Sequence, residues 1–164
     1  VLNEEQVYNP APLKTAELIK EDLNNVGVNV TIRSVTRTFL IDQLNKKSEN
    51  YDMILTGWLA GNLDPDSFMR PILSCNSASE MTNLSNWCDE DFDQLMDKAL
   101  DSPNLWERAH AYNQAQELIL SELPIVPLAN MKRVLVVNSR VRHIEMNPFG
   151  SLNFSTLSLR KGEK

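Results

Sequence analysis

The chain has 164 residues, 42% of them hydrophobic, and a formal net charge of −6 with a pI near 4.9. That length suits one domain, or one lobe of something larger, with enough apolar matter for a real core. The acidity disfavours nonspecific binding to nucleic acid or acidic membranes, and no apolar run reaches the length of a membrane helix.

The opening Val1-Leu2-Asn3-Glu4-Glu5 has neither a basic nor an apolar leader stretch, so no signal peptide is read there, as in a mature exported chain. Asn9-Pro10-Ala11-Pro12 opens a helix, with Asn9 as cap and the prolines in the first turn. Leu13, Ala16, Ile19, Leu23 and Val26 recur at helical spacing, and Gly27 closes the helix. Val28 to Val35 alternates and is β-branched, which predicts a strand. A helix over Thr38–Lys47 and a strand over Tyr51–Trp58 follow. This is an α/β pattern with the two strands parallel across a right-handed crossover.

The second strand runs into Gly57-Trp58-Leu59-Ala60-Gly61-Asn62-Leu63-Asp64-Pro65-Asp66-Ser67-Phe68. A strand that ends in a Trp and a polar turn presents a ligand contact at the end of a sheet. The plainer alternative is an ordinary connection with Trp58 in the core. A short apolar run, Phe68 to Leu73, comes next.

Cys75 and Cys88 flank a polar, loop-like stretch. No second Cys pair or nearby His suggests zinc. A disulfide is the preferred reading and would imply an oxidising compartment; two reduced, unrelated thiols remain the alternative. Asp89-Glu90-Asp91 starts a helix whose acidic first turn suits the dipole, with Phe92, Leu95, Met96 and Ala99 as its buried stripe. Asp89-x-Asp91-x-Asp93 fails as a calcium loop, because Gln94 and Leu100 stand where Gly and Glu are needed. Ser102-Pro103-Asn104 breaks the chain. A long helix then covers Leu105–Glu122, with Leu105, Ala109, Tyr112, Ala115, Ile119 and Leu123 as its expected buried face. Val134-Leu135-Val136-Val137 reads as a doubly covered strand. Arg142–Met146 and Asn153–Leu159 read as further strands about a Pro148-Phe149-Gly150 turn, and Arg160–Lys164 as a frayed tail. Lys132, Arg133, Arg140, Arg142 and His143 are read as solvated charges beside strands rather than a nucleic-acid patch.

Catalytic machinery is not visible: there is no Gly-rich phosphate loop, no His-Glu-x-x-His and no Gly-x-Ser-x-Gly. His110 and His143 lack a motif partner. Asp64 and Asp66 about Pro65 are the one candidate acid/base pair, and so the basis of a hydrolase alternative. A capping and turn-forming role is the plainer reading of both.

Taken together, the spaced motifs resemble a known family. They are Tyr8-Asn9-Pro10-x-Pro12-Leu13-Lys14-x-Ala16-Glu17-Leu18-Ile19, Val26-Gly27-Val28, Gly57-Trp58 and Asp64-Pro65-Asp66-x-Phe68, then Cys75 with Asn86-Trp87-Cys88, Phe92-Asp93-x-Leu95, the Arg108–Leu118 helix and Pro124-Ile125-Val126-Pro127. This set is similar to the C-terminal part of periplasmic dipeptide/oligopeptide-binding proteins, the solute-binding subunits of ABC importers. It is most similar to a branch associated with resistance to antimicrobial peptides. The resemblance implies residues 1–164 as a single α/β lobe of a two-lobed periplasmic protein, with a mixed, mostly parallel sheet flanked by helices. It also implies a peptide ligand enclosed against an N-terminal lobe, delivery to an inner-membrane permease, no cofactor, no metal and no catalysis. The cysteine pair matches the disulfide of dipeptide-binding relatives.

The implied ligand contacts are Gln6, Tyr8, Trp58, Gly61, Asn62 and Asp64. Tyr8 and Trp58 match the family pattern. Gly61 stands where dipeptide binders carry an Asp for the peptide's α-amino group, and Gln6 where relatives carry an Arg for its carboxylate. Losing a desolvated charge pair costs a dipeptide several kcal/mol, so longer or cationic peptides are the expected ligands. Haem or nucleic acid in the same cleft is the alternative ligand class.

Overall fold

The computed structural model describes residues 1–46, 51–80, 82–132, 134–147 and 151–160. Six helices carry most of the order: α1 (Pro12–Asn25), α2 (Arg37–Asn45), α3 (Asp66–Leu73), α4 (Cys75–Ser79), α5 (Glu90–Asp101) and α6 (Leu105–Glu122).

Helix α1 begins later than its sequence suggests. Ala11 is the N-cap and Pro12 takes the first turn, where a missing N–H costs nothing. Asn9 does not cap the helix end. Its Oδ1 accepts from the Ala11 N–H at 3.2 Å and the Thr15 hydroxyl at 3.3 Å, tying the preceding turn to the helix. At the far end Gly27 has φ +88°. The Gly27 and Val28 amides donate to Asn24 and Leu23 carbonyls at 3.0 and 2.9 Å, the paired bonds of a Schellman ending. Thr36 caps α2 through the Phe39 N–H at 3.2 Å, while the expected end of that helix at Lys47 lies outside the described residues.

The core joins α3, α5 and α6. Met69, Leu73, Phe92, Met96, Ala99, Ala111, Tyr112 and Ala115 are buried together, with Trp87, Leu95 and Ile119 packed against them. Asp89 caps α5 through the Phe92 N–H at 2.8 Å, and the expected α5 stripe is the one that turns inward. The inward face of α6 is displaced from the expected one. Leu105 and Leu123 are exposed, as is Ala109, while Ala111, Tyr112 and Ala115 are buried. Small alanines on both facing helices let the backbones approach closely. That selects the Ala111–Ala115 line over the bulkier Leu105 edge.

The stretch between the cysteines is more ordered than expected. Cys75 and Cys88 form a disulfide, Cα–Cα 4.4 Å, and α4 lies within the loop. Asn83 plugs it. Its amide nitrogen donates to the Ser74 and Trp87 carbonyls at 3.1 and 2.7 Å. Its oxygen accepts from the Ser85 N–H and hydroxyl at 3.2 and 2.7 Å.

Strand pairing among the described residues is sparse. Val28–Val35 forms no strand either, although its last residue makes a parallel bridge with Leu2. Among the described residues, 52–58 and 134–137 form no ladder, contrary to the reading of both runs as strands. The reason is that a strand needs a hydrogen-bonded neighbour, and the apolar side chains of Val28, Met53, Val134 and Val136 are left exposed. The last two expected strands do pair. β1 (Val141–Arg142) and β2 (Ser158–Leu159) are antiparallel, in the register Val141 to Leu159. Beyond them Met146 bridges Leu152. His143, at φ +54°, interrupts the ladder between these points. The intervening turn and the chain end past Arg160 lie outside the described residues, as does Arg133; Lys132, Arg140 and Arg142 are exposed.

Candidate functional site

Two tight turns meet at the candidate site. In the first, Gln6 and Asn9 exchange backbone hydrogen bonds at 3.0 and 2.9 Å, which leaves Val7 and Tyr8 at the tip. In the second, the Asn62 side chain accepts from the Asp64 N–H at 2.8 Å, and Asp64 in turn accepts from the Asp66 N–H at 3.0 Å. Pro65, at φ −55°, then launches α3.

The first turn meets the backbone at Gly57, upstream of the second. A Cβ built there would lie 2.5 Å from the Tyr8 ring, so only a glycine lets the aromatic lie on the extended backbone just before Trp58. Trp58 is half-buried and its indole N–H donates to the Ser67 carbonyl at 3.0 Å, pinning the ring over the start of α3. The Tyr8 hydroxyl is buried and has no hydrogen-bond partner among the described residues. The Tyr8 ring is thus brought against the residue that precedes Trp58. Gly61 is exposed and faces open space, so nothing crowds a side chain there. The Gln6 side chain is half-buried.

Asp64 points elsewhere. Its Oδ1 accepts from the Tyr112 hydroxyl at 2.8 Å, and its Oδ2 pairs with Arg108 Nη2 at 2.5 Å. Burial alone would raise this carboxyl. The Asp66 amide, the Tyr112 hydroxyl and the Arg108 guanidinium outweigh that and hold it below its ordinary 3.8. Tyr112 is pushed up to about 12, first by burial and then by its bond to Asp64. Asp66 is also engaged, pairing with Arg70 Nε at 2.8 Å, and Arg70 reaches on to Asp97 at 2.9 Å. Neither carboxylate of the pair stands ready as an acid or base. The sequence reading did not see Arg108 and Tyr112 as partners of Asp64. Their i,i+4 spacing on α6 was the available sign, a cation and a phenol on one helix face. Among the described residues no group of His, Cys, Asp and Glu is arranged to hold a metal, and no helix is long and apolar enough to cross a membrane.

Comparison with known proteins gives a consistent result. Residues 2–80 match the model described as bacterial extracellular solute-binding proteins, family 5, middle region. The chain is 67% identical to the peptide transport periplasmic protein SapA of Haemophilus influenzae, over 96% of this chain and 28% of that protein. It therefore spans little more than a quarter of the length of the curated relatives it matches. Among solved structures it superposes on a dipeptide-binding protein of a Pseudoalteromonas species in complex with Met-Leu. The TM-score is 0.79 at 34% identity, covering 97% of this chain and 31% of that one. HbpA2 of Haemophilus parasuis superposes with TM-score 0.83 at 31% identity, again over 97% of this chain and 31% of that one. The described helices and hairpin are part of the two-lobed α/β fold of these proteins. The chain belongs to the family 5 bacterial extracellular solute-binding proteins.

Proposed function

We propose that this chain supplies one wall of a peptide-binding cleft in a periplasmic solute-binding protein that feeds an inner-membrane ABC permease. Function is capture and release, with no bond broken. Tyr8 and Trp58 form the aromatic wall, and Gln6, Gly61 and Asn62 line its rim. Asp64 serves the site by holding the loop. The observation that carries the reading is the Tyr8 ring laid against Gly57, next to Trp58 in the chain, with its buried hydroxyl lacking a hydrogen-bond partner among the described residues. A buried hydroxyl without a partner is costly, and its partner is expected in the liganded full-length protein. The named peptide transport relative supports the same class.

The ligand is a peptide longer than a free dipeptide, cationic peptides included. Gly61 brings no charge to a ligand ammonium, and the chain's net charge of −6 complements basic peptides. The test is native mass spectrometry of the full-length exported protein, followed by titration with Met-Leu, N-acetyl-Met-Leu and a Met-Leu-Met-Leu tetrapeptide. Peptide adducts are expected, with the tetrapeptide binding more tightly than the dipeptide and acetylation changing affinity little. Gly61→Asp should restore a preference for the free amine by about tenfold or more, since the position has room for the carboxylate. A clean apo mass with no binding to any of the three would overturn the peptide reading.

A further inference from the structure

Two carboxylates fasten the turn after Trp58: Asp66 pairs with Arg70 within α3, and Asp64 carries the bonds that reach α6. Trp58 donates to the Ser67 carbonyl at 3.0 Å. The Ser67 hydroxyl donates to the Asp64 carbonyl at 2.9 Å. The Asp64 carboxylate is then gripped by Tyr112 and Arg108 at 2.8 and 2.5 Å. Arg108 also donates to Tyr112 at 3.2 Å and stacks its guanidinium over that ring, 5.5 Å from the centroid. Its other arm reaches the Ala99 and Leu100 carbonyls at the end of α5, where helix carbonyls lack an intrahelical donor. Tyr112 itself is buried in the core between α5 and α6.

We infer that Arg108 and Tyr112 are positioning residues for the ligand wall. They fix the Asn62–Ser67 turn to the rigid α5–α6 pair, and through Ser67 they fix the plane of the Trp58 indole. This rests on the proposed function only in supposing that Trp58 touches the ligand. Three properties suit the pair to the task. They make a two-point grip on both carboxylate oxygens, which sets direction as well as distance. The grip is part-buried, so solvent screens it less than a surface pair. The elements it joins are the most tightly packed part of the chain, so the turn inherits their rigidity.

The test uses the full-length protein carrying 5-fluorotryptophan, with the Trp58 fluorine resonance assigned by its loss in Trp58→Phe. Tyr112→Phe removes one hydroxyl, and Arg108→Lys keeps the charge but loses the forked geometry. Each should shift or broaden the Trp58 resonance, leave that of Trp106 in place, and weaken tetrapeptide binding about fivefold. Phe92→Leu is the control, a change in the same core that removes none of the grip's hydrogen bonds. It should lower the melting temperature without moving the Trp58 resonance or the affinity. An unchanged Trp58 resonance in both variants would overturn the inference, as would an equal change in the control. If the parent protein binds no peptide, the function reading fails, and the resonance still decides the positioning role.

Discussion

At the scale of single residues, charge placement decides more than charge count. Asp64 and Asp93 are both part-buried carboxylates on the α3–α6 side of the molecule, yet they are driven in opposite directions. Asp64 is held below its ordinary value by its donors. Asp93 is raised, chiefly by burial, with only the Cys75 N–H at 3.2 Å and the charge of Arg70 to offset it. A carboxyl with a depressed folded value stabilises the fold above its unfolded pKa. That stability is lost as pH falls through the folded value, here below 3.8. Asp93 has the reverse sign: its ionised form is a cost that acid relieves. Acid destabilisation should therefore depend on Asp64. Asp64→Asn should lower stability at pH 7 by about 1–2 kcal/mol and shrink the further loss on acidification. Urea denaturation of the full-length protein at neutral pH and near pH 3 measures both, and an acid limb of equal size in the variant would refute the assignment. Asn83 makes a second residue-scale case. It uses all its hydrogen-bonding groups inside the fold. Asn83→Leu is of similar size but strands the Ser74 and Trp87 carbonyls, and should cost about 2–4 kcal/mol in the same denaturation experiment.

At the scale of elements, the loop between the cysteines behaves as a small module. The disulfide closes a segment of sequence separation 13, α4 fills part of it, and Asn83 fastens the rest. Trp87 packs edge-on against Phe92 with ring centroids 5.2 Å apart, which joins the module to α5. Closing a loop of this length is worth about 3 kcal/mol in the chain-entropy model. A Cys75→Ser, Cys88→Ser double variant should lose about that much. Amide exchange should accelerate over residues 75–88 and remain slow in α6. Uniform acceleration across both would show that the module and the helices unfold as one unit.

At the scale of the whole molecule, order is uneven. Helices α3, α5 and α6 enclose the core, whereas the β-branched runs leave apolar side chains such as Val28, Met53, Val134 and Val136 in solvent. The relatives are more than three times as long as this chain. We propose that residues 28–35, 52–58 and 134–137 find their sheet neighbours in the full-length protein. Hydrogen exchange compared between the full-length protein and the 164-residue chain is expected to show strong extra protection in these three runs and little change in α5 and α6. Equal protection would mean that they are true loops.

What the sequence determined by itself is what short-range physics controls. The start of α5 at Asp89-Glu90-Asp91, the Gly27 ending, the limits of α6 and the inward stripe of α5 all follow from spacing and from the side chain nearest each helix end. The motif spacings were enough to point to the family. Tertiary structure alone decided the rest. Which face of α6 turns inward depended on the small residues it meets, not on its own periodicity. Whether an alternating run becomes a strand depended on a partner far away in the chain. Asp64 carried no mark of its purpose, because its partners Arg108 and Tyr112 lie more than forty residues on and are brought to it only when α6 packs beside α3 and α5. Local sequence can specify a turn, a cap or a helix; it cannot specify which distant side chain will fill the remaining hydrogen-bonding capacity of a carboxylate, because that is set by how the elements pack.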